Sequence, residues 1–425
     1  MTSAPARRIV VVTYYFPPAT AIGAHRWAGM ARHLRAMGHD VTVVTSAVHG
    51  RRPDDAPCVV RTGDLANAAA LRRLLRRPQL PEPGVVAAQT PAPALLTDVV
   101  PPDSHLVSWV PTALAAVVRL ARRATIDCLI TSGPPDSAHL VGLTLGRRRP
   151  PWVADFRDGW RYEPLRYEWP TRAQERLDGW LERRVAKSAD VVVGATMPIA
   201  EDFAARLGAN AHWVSNGFEP MGEVPCSVPA EPQGWLTLVH TGTLSGPRGR
   251  DPRPLLAALQ AFNAARPAGA PRIRLVLAGR PSVEDERLIA EMAMASAVHH
   301  VGLLDHDTTL CLQRGADGLL LLTGNHRSEA TGKLFEYLAS GRPIIALARD
   351  NEAERIVRET RTGVAVSADD AVAIDGALRS LADGSLERAY APRGLERFRY
   401  PGPAEAIARL VEQARARRLE THSAR

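Results

Sequence analysis

Short apolar runs alternate with amphipathic stretches along almost the whole chain, and they do so in two series. The first comprises 9–13 (IVVVT), 40–45 (DVTVVT), 126–131 (IDCLIT), 152–155 (WVAD), 190–194 (DVVVG) and 211–215. The second comprises 236–241 (LTLVHT), 273–278 (IRLVLA), 298–302, 317–322 (DGLLLL), 343–347 (PIIAL) and 363–366. A strand that is apolar on every residue must be covered on both faces, so these runs read as parallel sheets flanked by helices. Amphipathic stretches at 24–37, 111–124, 171–187, 253–265, 284–297 and 332–340 supply the helices. The fold class is therefore α/β, with two doubly wound Rossmann-like domains facing across a cleft.

The series break at 216–235, where NGFEPMGEVPCSVPAEPQG is rich in Pro and Gly and has no period. The expected domains are 1–215, 216–394 and a C-terminal helical segment, 395–425. The irregular, Pro-rich stretch 78–105 reads as an insertion in the first domain.

The net charge of +8 and the pI near 9.8 invite a nucleic-acid partner. The basic residues are scattered, however, and aromatics are only 5%, too few for stacking platforms, so no nucleic acid is expected. The densest basic run, 71–80 (LRRLLRRPQL), reads as a solvated helix face, with peripheral contact to an anionic membrane surface as the alternative. No apolar run is long enough for a leader core or a membrane span, which makes cytoplasmic the expected location. Four dispersed cysteines suggest neither a disulfide framework nor a zinc site.

Open parallel sheets bind ligands beyond the carboxyl ends of their strands. Five loops in those places carry chemistry. YYFPPATAIGAHRW (14–27) puts Gly23 and Arg26 at a helix start, where free amides suit a phosphate; an ordinary turn with Arg26 in a salt bridge is the alternative. TSGPPDSAHLVG (131–142) carries Ser137 and His139, with helix capping and packing as their plainer roles. VADFRDGW (153–160) sets Asp155, Arg157 and Asp158 just past an apolar run, a placement that is costly unless the charges are paired or used. HTGTLSGPRGRDP (240–252) offers Gly242, Thr243, Arg248 and Arg250 to a diphosphate. TGKLFEYLASGRPIIAL (331–347) starts a helix at Thr331 or Gly332, with Lys333 in its first turn and Glu336 one turn on.

Lys333 stands out because the chain has only two lysines, Lys187 and Lys333, among 53 basic residues. A cation at a helix start opposes the helix dipole unless an anion binds there. Asp305, His306 and Asp307 form a DxD, read as helix capping rather than a metal site. His299 and His300 are adjacent on a strand, point to opposite faces and cannot share a metal.

Together, YYFPP with its following Gly and Arg, SGPP, VADFRD, HTGTL and above all TGKLFEYLASGRPI resemble the GT-B-fold glycosyltransferases of family 4, the group 1 retaining transferases. The resemblance runs over nearly the whole chain. It implies a nucleotide diphosphate sugar held by the second domain and a small-molecule, lipid-linked or glycan acceptor held by the first. It implies a hexosyl- or N-acetylhexosaminyltransferase that needs neither metal nor other cofactor. Glu336 matches the second member of the family's paired glutamates, which binds the ribose. Lys333 and Arg248 or Arg250 match the groups that hold the diphosphate. Gly23 matches the glycine that approaches the phosphates. Asp155 lies near where many relatives carry a histidine beside the donor sugar. One departure stands out: the first glutamate of the pair, eight positions before Glu336, is Ser328 here, and Glu329 is one residue late.

The expected catalytic set is Asp155, Asp158 and Lys333. The expected donor set is Gly23, Arg26, Gly242, Thr243, Arg248, Arg250, Thr331, Gly332, Lys333 and Glu336; acceptor binding falls to Ser137, His139 and Arg157. Two alternatives remain: a sugar-nucleotide epimerase of the same fold, and a non-catalytic two-domain binding protein.

Overall fold

The computed structural model describes residues 5–19, 22–52, 55, 57–65, 100–163, 169–220, 234–244, 251–280 and 282–423. It divides into two compact units, one made of Met1–Gly217 with Tyr400–Arg425 and the other of Phe218–Arg399.

The sheet of the first unit contains β1 (Arg8–Thr13), β2 (Asp40–Ser46), β3 (Val59–Thr62), β4 (Cys128–Gly133), β5 (Trp152–Phe156), β6 (Val191–Gly194) and β7 (Ala211–Trp213). Their order is β3-β2-β1-β4-β5-β6-β7, and every pair is parallel. Period-two alternation sends successive residues to opposite faces. Thus Ile9 and Val11 pack with Trp27, Met30, Ile407 and Val411 on one side, while Val10 and Val12 pack with Trp109, Ala113, Val141 and Phe203 on the other.

The final helix, Gly402–Ser423, lies on the same face as Ile22–Ala36. Tyr400 fixes its start: the ring stacks on His33 at 4.8 Å and the hydroxyl donates to the Arg26 carbonyl at 3.1 Å. An Arg7–Glu412 pair (2.6 Å) joins it to the start of β1.

The second unit has β8 (Trp235–Thr241), β9 (Arg272–Ala278), β10 (Val298–Gly302), β11 (Gly318–Leu322), β12 (Ile344–Leu347) and β13 (Gly363–Val366). They run parallel in the order β10-β9-β8-β11-β12-β13. Leu238, Leu275, Leu320 and Ile345 bury one face beneath the helices Arg253–Ala264 and Ala371–Ala382.

All twelve expected strands are present to within a residue or two, in two parallel sheets. β3 is an addition. Its four half-buried residues at the sheet edge carry no apolar run to betray it. The expected helix at 284–297 is shorter, Val283–Glu291, because the chain turns at Ala293, whose φ is +52°. Cys311 is disulfide-bonded, contrary to the reading of its spacing, while Cys58 and Cys128 are free thiols. The basic run 71–80 lies outside the described residues. Among those described, no helix is long and apolar enough to cross a membrane, and no group of three or more His, Cys, Asp or Glu could hold a metal.

Candidate active site

In both sheets the strand order reverses direction beside the first strand, between β1 and β4 in the first unit and between β8 and β11 in the second. The crevice outside such a switch point is where doubly wound sheets take ligands. All five chemistry-bearing loops follow strands of these sheets.

In the first unit, Asp155 ends β5 with no exposed surface. Its Oδ1 pairs with Arg26 Nη2 at 2.8 Å, and its Oδ2 accepts from Arg26 Nε (3.3 Å), Trp27 Nε1 (2.9 Å) and Ser132 Oγ (2.8 Å). Burial alone would raise this carboxyl, but the Arg26 guanidinium and these donors hold it below its ordinary value. Arg26 is 2% exposed and equally engaged: Nη1 reaches Asn216 Oδ1 (3.2 Å) and Nη2 the Val214 carbonyl (2.9 Å).

Both Asp155 oxygens are thus engaged within the first unit, and four of the five N–H groups of Arg26 have partners there. The salt-bridge alternative holds for Arg26, with Asp155 as its partner. Together they lock the second turn of the helix Ile22–Ala36 to β4 and β5.

Gly23 differs from expectation in the same way. A Cβ placed on it would lie 1.0 Å from Arg157 Nη1, so the missing side chain makes room for a guanidinium of its own unit. Arg157 is half-buried, and its Nε donates to the Gly133 carbonyl at 2.8 Å and its Nη2 to that of Pro134. Burial lowers its pKa against the opposing pull of Asp158 and Asp155. Asp158 is itself half-buried.

Ser137 and His139 follow β4 and are wholly buried. His139 Nδ1 shares a 2.8 Å hydrogen bond with Thr131 Oγ1, and its ring lies 4.2 Å from that of Phe156. Burial pushes its pKa down to about 3. Yet His139 Nε2 and Ser137 Oγ have no partner. Nε2 faces Gly133, where an added Cβ would lie 2.8 Å away. Buried polar atoms are nearly always bonded, so such orphans mark places where something else belongs.

In the second unit, Lys333 lies in the first turn of the helix Gly332–Ser340, whose N-cap is Thr331. That turn contains no acid. Lys333 Nζ sits over Gly242, the residue after β8: a Cβ there would lie 2.1 Å from it. Gly242 has φ +119°, a backbone that other residues rarely adopt. The Thr331 hydroxyl caps nothing and is a buried orphan.

Glu336, half-buried one turn on, accepts from Gln313 Nε2 at 3.4 Å. The Thr243 carbonyl faces His240 Nε2 at 3.1 Å, while His240 Nδ1 faces the Leu320 carbonyl at 2.9 Å, which ties the loop to β11. Glu329 is buried at 4% exposure and accepts from the Gly324 amide at 2.8 Å, so this late glutamate closes its own loop. Asp305 caps the helix His306–Gly315 by accepting from the Thr308 amide at 2.8 Å, as its sequence suggests. Arg248 and Arg250 lie outside the described residues.

Four supporting residues are not singled out from the sequence. Tyr337, wholly buried, offers its hydroxyl to the Thr241 amide at 3.0 Å, and burial pushes its pKa up to about 12. Trp27 and Ser132 hold Asp155. Gln313 reads as one more helix residue. Tyr337, Ser132 and Trp27 lie inside the quoted segments, but their supporting roles show only through contact.

Residues 23–217 match the family model described as glycosyl transferase 4-like domain. A search of curated protein sequences returned no significant match. Among solved structures, the chain is similar to sucrose-phosphate synthase from Thermosynechococcus elongatus, at 18% identity and a TM-score of 0.63, covering 96% of this chain and 99% of that one. It is also similar to the lipopolysaccharide outer core galactosyltransferase WaaB, at 12% identity and TM-score 0.58, covering 95% and 99%. A third, described as a UDP-N-acetylglucosamine 2-epimerase from Listeria monocytogenes, gives 11% identity and TM-score 0.56, covering 96% of each chain. Residues 23–217 are thus similar to the glycosyl transferase 4-like domain, and the chain has the two-sheet fold of these solved glycosyltransferases.

Proposed function

We propose that the chain moves a sugar from a nucleotide diphosphate sugar to a hydroxyl or amine, with retention at the anomeric carbon. The donor lies on the second unit against Gly242, Thr243, Thr331, Gly332, Lys333 and Glu336. The acceptor lies on the first unit near Ser137, His139, Arg157 and Asp158.

The observation that carries this reading is the Lys333 ammonium seated over Gly242 at an acid-free helix start. Helix amides and an ammonium aimed at one spot stabilise the negative charge that grows on a departing diphosphate. The uncapped Thr331 hydroxyl adds a further donor there. The leaving phosphate oxygen takes the acceptor's proton, so no dedicated base is needed. Asp155 then acts through what it holds, and Lys333 is the catalytic group.

The test pairs two variants. Lys333→Ala should lose turnover, and Glu336→Ala should lose affinity for nucleotide diphosphates in calorimetry. Wild-type behaviour in both would sink the assignment. The epimerase alternative shares the fold of one structural neighbour, and product analysis with and without an acceptor separates it.

A further inference from the structure

Gln313, on the helix His306–Gly315, has no exposed surface. Its Nε2 points at Glu336 Oε2, 3.4 Å away, and its Oε1 has no partner. Among the described residues this is the hydrogen bond that the Glu336 side chain makes. The opposite amide orientation would set two acceptor oxygens against each other, so the carboxylate dictates which way the amide faces. Its other arm is thereby left as a buried acceptor without a donor, an arrangement native interiors rarely tolerate.

Resting on the donor reading above, we propose that Gln313 is a positioning and specificity residue of the donor site: it orients Glu336, and its Oε1 accepts a hydroxyl of the nucleotide ribose. A glutamine that holds the ribose-binding carboxylate through Nε2 and keeps its own Oε1 unmet adds one further acceptor for a vicinal diol. Such a pair favours a ribonucleotide over its deoxy counterpart, because the deoxy sugar leaves a buried acceptor unmet.

The experiment is calorimetry on the full chain with UDP and GDP and with their 2′-deoxy and 3′-deoxy forms, using wild type, Gln313→Leu, Gln313→Glu, Glu336→Gln and the double variant Q313L/E336Q. Gln313→Leu should weaken the better ribonucleotide about tenfold and shrink the ribo-to-deoxy preference, while the thermal midpoint stays near wild type. The double variant should be weaker than Glu336→Gln alone, but by less than Gln313→Leu weakens the wild type, because part of the glutamine's effect runs through Glu336.

Gln313→Glu covers the case in which leucine impairs folding. Two adjacent carboxyls must share a proton, so its nucleotide affinity should fall more steeply than the wild type's as pH rises. A purely structural glutamine would show neither the altered sugar preference nor this pH profile. Wild-type affinity and preference in Gln313→Leu, with binding lost in Glu336→Gln, would overturn the proposal and leave the donor reading standing. Wild-type binding in Glu336→Gln would remove both.

Discussion

The two units each place charged residues on a segment that follows a buried strand, but the hydrogen bonding around those segments differs in completeness. In VADFRD, both Asp155 oxygens and the Arg26 guanidinium are spent inside the first unit, on each other and on Trp27, Ser132, Asn216 and the Val214 carbonyl. In TGKLFE, Thr331 Oγ1 is an orphan, and among the described residues Glu336 has one long contact, with a glutamine that is itself half-satisfied. Charge density at a strand end therefore does not distinguish a clasp from a site. The degree to which hydrogen bonding is complete does, because evolution tolerates an unmet buried polar group chiefly where a ligand will meet it.

The sharpest way to break this contrast is Asp155→Ala. Removing one partner of a buried ion pair leaves the other charge uncompensated, and about 3–5 kcal/mol of stability should go. Urea unfolding would measure it, with activity per folded molecule largely kept. A variant that stays stable but loses turnover would make Asp155 a reacting group and collapse the distinction. Lys333→Ala is the mirror image. Loss of one preorganised positive group at the leaving diphosphate should lower kcat about 100-fold or more, with the unfolding midpoint hardly moved.

Much of the fold is legible in the sequence because unbroken apolar strands announce themselves. Ile9 to Val12 could only be covered from both sides, and they are. The short edge strand β3 is illegible for the same reason, since half-buried residues at a sheet margin need no apolar run. The site is partly legible. Lys333 is conspicuous as one of two lysines in a chain that uses arginine almost everywhere else, and its place at a helix start has a meaning in electrostatics. Asp155 looks like Asp158 in sequence, and only the four donors around it reveal its role. Gln313 carries no local signal at all, because what makes it notable is a residue 23 positions away in another helix.

Gly23 sharpens the contrast at smaller scale. If its purpose is to admit Arg157, then Gly23→Ala should displace the guanidinium from the Gly133 and Pro134 carbonyls. Overpacking of this kind costs about 1–3 kcal/mol. Unfolding measurements on Gly23→Ala and on the double variant G23A/R157A should show the second change relieving the first. Equal losses in an Arg157→Ala background would mean that the glycine serves something other than Arg157.

His139 gives the smallest and most graded effect. Its ring is wholly buried, with a folded pKa of about 3 against an ordinary value of 6.5. The unfolded chain therefore binds a proton below pH 6.5 that the folded chain refuses until near pH 3. The stabilising difference is complete above about pH 6.5 and drains away as pH falls, at no more than about 1.4 kcal/mol per pH unit. His49, His39 and His212 are depressed in the same direction by burial, so the bare slope of the wild type is a sum over several rings. The difference between wild type and His139→Gln isolates one of them, and between pH 6.5 and 4.5 the variant should lose stability less steeply. Parallel curves would mean that His139 is protonated in the folded state. The first unit's candidate acceptor site would then have to be built from Ser137 and Arg157 without a neutral imidazole beside them.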